Sequence, residues 1–145
     1  NACEGAMLAE RDPETLQFPV AATVSINADE EMARNASRAA ICKLYHPIPH
    51  PYYDSQLRQL GYSTFADQAT KLMPEGRLAE AMALVPDEVI DTMTITGTLD
   101  QCLSRINEYE GVADELILAR TAQRGEPSGM AAYDEFFELI SRVSG

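Results

Sequence analysis

The chain has 145 residues, 46% of them hydrophobic and 23% charged, which suits one globular domain with a real core and excludes a disordered polymer. Lys and Arg number 11 against 23 Asp and Glu, a net charge of -12. Such a surface repels phosphate backbones, which excludes nucleic acid and anionic membrane as partners. No apolar run reaches the ~20 residues that span a bilayer, so a soluble, cytoplasmic protein is expected.

Residues 1–11 (NACEGAMLAER) read as a helix ended by Asp12-Pro13, because Pro disfavours helix in the residue before it. Phe18 to Ile26 (FPVAATVSI) is apolar and β-branched without polar alternation, the pattern of a strand buried on both faces in a parallel sheet. Asp29, Glu30 and Glu31 then start a helix that runs to about Tyr45, with Met32, Ala33, Ala36, Ala39, Ala40 and Leu44 toward the sheet. The Asn35-Ala36-Ser37 sequon lies inside this helix and is discounted.

His46 to Pro51 (HPIPHP) carries three prolines and predicts an extended connector. Four short helices follow: Tyr52 to Leu60, Phe65 to Met73, Arg77 to Leu84 and, behind Pro86, Asp87 to Met93. Met93 to Thr96 is a short strand closed by Gly97. Thr98 and Gln101 have capping-box spacing at the head of a helix that runs to Glu110, with Gly111 as its stop. Glu115 to Ala119 (ELILA) reads as another buried strand, residues 120–129 as a polar loop, and Met130 to Val143 as a last helix. That helix is expected to bury Tyr133, Phe136, Phe137, Ile140 and Val143 as core.

Strands alternating with helices imply right-handed crossovers and a parallel α/β sheet. Three strands whose faces are all apolar leave both sheet edges open, so the unit wants more strands than it carries. The whole of 1–145 is read as one domain, with a helical insertion at about 46–92.

From Val85 to Arg120 the pattern becomes specific. Pro86-Asp87-Glu88, Gly97-Thr98, Glu108-Tyr109, Gly111 and Leu116-Ile117-Leu118 occur in order, preceded by VSINADEEMAR (Val24 to Arg34), Tyr52-Tyr53 and Leu60-Gly61-Tyr62. This ordered set resembles the luciferase-like monooxygenase family, and within it the deazaflavin-dependent branch that includes methylenetetrahydromethanopterin reductase. The resemblance implies a partial parallel β/α barrel of the TIM type, roughly its last three strand–helix units, strands six to eight. It also implies a flavin- or deazaflavin-dependent oxidoreductase, with FMN or coenzyme F-420 as cofactor. Much of the family's site lies on earlier strands, so this segment alone is expected to be inactive and to bind neither cofactor tightly. The implied partners are a second copy of the chain or the missing amino-terminal barrel segment.

Gly97 and Thr98 sit at a strand end that opens a helix, where free N–H groups and the helix dipole favour an anion, and a plain capping box is the commoner meaning of the same residues. Arg120 ends the last strand at the same carboxyl face and could hold a phosphate, although rim arginines more often make surface ion pairs. Gly97, Thr98 and Arg120 are therefore the candidate cofactor contacts. Some family members carry a basic residue just before the second strand, where this chain has Thr92.

His46 and His50 lack Cys or Asp neighbours at ligand spacing, so no metal site is expected. Cys3, Cys42 and Cys102 lie far apart with no CxxC and read as reduced thiols. Two other functions fit the residues: a non-catalytic α/β module that dimerises through its open sheet, and a domain binding an anion at Gly97-Thr98.

Overall fold

The computed structural model describes residues 2–45, 50–122 and 129–143. The His46–Pro49 part of the proline connector and most of the 120–129 loop lie outside them. The elements run α1 (Ala2–Leu8), β1 (Pro19–Ile26), α2 (Glu30–Lys43), α3 (Pro51–Gln59), α4 (Ser63–Leu72), α5 (Leu78–Ala83), α6 (Asp87–Met93), β2 (Thr94–Gly97), α7 (Leu99–Asn107), β3 (Glu115–Arg120) and α8 (Asp134–Val143). A 3-10 turn, Gly129–Tyr133, leads into α8. The alternation of strands and helices read from the sequence holds, as do the four helices between α2 and β2.

All three strands are parallel and form one sheet in the order β2-β1-β3. In a simple arc of consecutive barrel units each strand would lie beside the next. Here β1 takes the centre, and β3 pairs with its far side. Residues Thr23 to Ile26 face Thr94 to Gly97, while Pro19 to Val24 face Glu115 to Arg120.

Two cores hold the chain together. On one face of the sheet, Ala22, Val24, Ile26 and Ile95 pack against Cys102 and Ile106 of α7 and Leu139 of α8. The second core belongs to the helical insertion, where Ile41, Cys42 and Tyr45 at the end of α2 meet Leu57, Phe65, Met73 and Ile90. The helix α2 crosses the opposite sheet face, since Ser37 bonds Ser25, and successive strand side chains alternate faces.

That coverage is incomplete, which corrects two sequence expectations. β1 is buried on both sides only from Val24 to Ile26; Ala21 is exposed, because α2 spans only the carboxyl half of the strand. β3 alternates exposed and half-buried along its whole length, with Ile117 51% exposed, as befits an edge strand. The last helix also departs from expectation. Of its apolar side chains only Leu139 is fully buried, with Phe136 half-buried; Tyr133, Phe137, Ile140 and Val143 face outward, because α7 takes only one side of α8.

The cysteines are free thiols, as the spacing suggested. Burial pushes Cys42 and Cys102 up to about 12, with the Glu135 carboxylate adding to the effect at Cys102, so neither is a thiolate near neutral pH. A chromogenic disulfide reagent at mildly alkaline pH should therefore titrate one thiol in the native chain, Cys3, and all three after denaturation. Rapid labelling of a second thiol in the native state would contradict this packing.

Candidate functional site

Parallel strands end on one edge, and the loops that follow them gather there. Ile26 lies beside Gly97, and Val24 beside Arg120. The three residues singled out from sequence thus share the carboxyl edge, with Gly97 and Thr98 on one side of β1 and Arg120 on the other.

Gly97 has φ +138, and a Cβ there would run into the side-chain oxygen of Gln101. That oxygen accepts from the Thr98 N–H at 2.7 Å, and Thr98 Oγ1 accepts from the Gln101 N–H at 3.5 Å, so the capping box is formed. Gln101 Nε2 also donates to Glu30 Oε2 at 3.2 Å, which ties the start of α7 to the start of α2. The Thr98 N–H is therefore spent inside the chain, with a carboxylate close by. Across β1, the Arg120 guanidinium lies 4.7 Å from the centre of the Tyr133 ring, a cation–π contact that fixes the cation at this edge.

Below the edge lies a group of hydroxyls that sequence reading missed. Ser37 Oγ donates to Ser25 Oγ at 2.7 Å and meets Thr96 Oγ1 at 2.5 Å. Ser25 meets Thr121 Oγ1 at 2.6 Å, and Thr96 meets Thr94 at 2.8 Å. The ends of the row donate to backbone: Thr94 to the Ile90 carbonyl at 2.7 Å, Thr121 to the Val24 carbonyl at 3.2 Å. Ser25 and Ser37 are fully buried. One row of hydroxyls therefore sews β1, β2, β3 and α2 together. The one sequence signal was Ser and Thr at every second position of strands otherwise apolar.

Beside α2 and α5 lies a cleft of about 1190 Å³, floored by Met32, Ala36, Ala39, Leu78 and Met82 and reaching Ala122 just past β3. Its wall is braced by ion pairs. Arg38 holds Glu31 at 2.7 Å and Asp87 at 2.8 Å, and Arg34 holds Asp87 at 3.2 Å and Asp91 at 3.0 Å. Hydrogen bonds from Arg34, then Arg38, keep the Asp87 carboxyl below the usual carboxylate range. Asp87 thus clamps α6 to α2. Among the described residues no group of three or more His, Cys, Asp or Glu could hold a metal ion. His50 stacks edge-on with Tyr53 at 5.2 Å, and His46 lies outside the described residues.

The luciferase-like monooxygenase family model matches residues 2–115, well over half of the chain. The chain belongs to the luciferase-like monooxygenase family. A Mycobacterium tuberculosis protein named as a coenzyme F420-dependent oxidoreductase is 33% identical over 69 residues, which cover 46% of this chain and 20% of that protein. The coenzyme F420-dependent tetrahydromethanopterin reductase of Methanopyrus kandleri has the same fold, with a TM-score of 0.71 at 22% identity over 96% of this chain and 39% of that one. The α/β class with parallel strands, consistent with part of a TIM-type barrel, is thus borne out. The chain spans well under half the length of both proteins. Among the described residues no helix is long and apolar enough to cross a membrane.

Two substitutions test this family member's edge by urea unfolding. Ser37→Ala leaves Ser25 and Thr96 short of a buried partner and should cost about 1–3 kcal/mol. Gly97→Ala forces a side chain into left-handed backbone and against Gln101, and should cost a similar ~1–3 kcal/mol. An unchanged midpoint in either variant would show that the capping box or the hydroxyl row does not form as described.

Proposed function

We propose that this chain forms the carboxyl-terminal part of the barrel of a deazaflavin-dependent oxidoreductase and helps hold the coenzyme at its carboxyl edge. The observation that carries the reading is the family match over residues 2–115, joined to two relatives that are both named for coenzyme F420. Those names favour deazaflavin over FMN. The coenzyme, when bound, supplies hydride transfer; the protein supplies binding and orientation.

The edge fits an anionic part of such a coenzyme in one place and not in another. Arg120, steadied by Tyr133, presents a planar guanidinium suited to phosphate or carboxylate. Gly97 and Thr98 border the same edge and give it shape, but the Thr98 N–H is already bonded to Gln101. In this reading Arg120 is the coenzyme contact and Gly97-Thr98 its rigid surround. A ring pocket needs walls beyond three strands, so this chain by itself binds weakly and does not turn over. Further strands, from another polypeptide segment or a second copy, complete the barrel.

Fluorescence titration with coenzyme F420, and separately with FMN, tests the reading. Weak, saturable binding of coenzyme F420 is expected, tighter than that of FMN and reduced roughly tenfold by Arg120→Gln, which removes one charge-assisted contact. No measurable binding, or binding that Arg120→Gln leaves untouched, would overturn the assignment.

A further inference from the structure

The cleft between α2 and α5 is concave, apolar at its base and charged along one wall. Met32, Leu78 and Met82 line it, and of these only Met32 stands exposed, at 42%. Ala36 and Ala39 hollow the base where larger side chains would close it. The volume of about 1190 Å³ is ample for a small organic molecule. The charges of the wall are already matched: Arg38 holds Glu31 and Asp87, and Arg34 holds Asp87 as well. Lys43 is the exception. It lines the cleft one helical turn beyond Ala39, and its ammonium makes no ion pair among the described residues, in a chain with 23 acidic side chains.

We propose that this cleft is a binding site for a small amphipathic anion, with an apolar body seated on Met32, Leu78 and Met82 and a single carboxylate at Lys43. A cation finds no unmatched carboxylate here, since Glu31 and Asp87 are both held by arginine. A polypeptide is a poorer occupant than a small molecule. A strand or helix laid over this face would bury the Arg38 ion pairs, whose carboxylates are now 65% and 63% exposed, and removing such pairs from water costs more than their attraction returns. A small molecule on the apolar base leaves them in water. The cleft reaches Ala122, two residues past Arg120, so its occupant lies beside the carboxyl edge of the sheet. The site is nonetheless made by α2 and α5 and does not depend on the coenzyme reading.

Isothermal titration calorimetry of the chain with decanoate, below its micelle concentration and without coenzyme, tests the site; decanol and decylamine serve as neutral and cationic probes. Decanoate should bind saturably, one per chain, and more tightly than either of the others. Lys43→Met keeps the apolar stem and removes the charge; it should weaken decanoate roughly three- to fivefold and leave decanol unchanged. Added salt should weaken decanoate in the same selective way. Ala39→Phe fills the base and should abolish binding of both, with unchanged far-ultraviolet circular dichroism. Phe137→Glu, on the exposed side of α8, should leave decanoate binding intact. The proposal is overturned by no saturable decanoate binding, by decylamine binding as tightly as decanoate, or by an affinity indifferent to Lys43→Met or to Ala39→Phe. Loss of binding in Phe137→Glu would also overturn it, by placing the probe on α8.

Discussion

The structure depends on the parallel pairing of β1 with both of its neighbours. Parallel strands cannot be joined by a tight turn, so each connection must cross over the sheet and return. For β1 and β2 that connection is α2 and four short helices, which build a core of their own around Tyr45 and Phe65. For β2 and β3 it is α7 alone. Both return to the same end of the sheet, and so Gly97, Arg120 and the hydroxyl row meet at one edge although they are scattered in sequence. Ser37 is the joint that makes the arrangement rigid, since it bonds strands on two sides of itself from a helix.

Much of this was legible in the sequence wherever the signal was local. The capping box at Thr98 and Gln101, the glycine stops, the insertion helices and the apolar strands depend on neighbours a few residues away, and each stands where its spacing put it. The burial of whole faces was less legible. Periodicity shows that Tyr133, Phe137 and Ile140 share a side of α8, but the covering surface must come from elsewhere, and here it does not come from within the described residues. The central place of β1 could not be read either, because strand order is decided by contacts some 96 residues apart. The hydroxyl row was invisible for a related reason. Ser and Thr within a strand look like solvent-facing positions until a helix with its own hydroxyl is laid over them.

Family and activity separate in this chain. Membership in the luciferase-like monooxygenase family rests on a match across most of its length. The edge that the chain contributes has one cation fixed against an aromatic ring, a glycine that admits no side chain and a polar seam beneath them. The match establishes the family; these features establish the shape and polarity of the edge that the chain contributes to it.

The central place of β1 has a consequence for how the chain reaches its native state. Ser25 and Thr121, which share a hydrogen bond, are 96 residues apart, and so are Phe18 and Asp114, joined across the other end of the β1–β3 pair. During synthesis β1 must wait for the 96 residues that separate these partners before β3 can pair with it. The helical insertion, with its own core of near neighbours, can form in the meantime. Such a topology has high contact order and folds slowly, and the apolar strand at its centre is the segment most in need of shelter from other chains until β3 arrives.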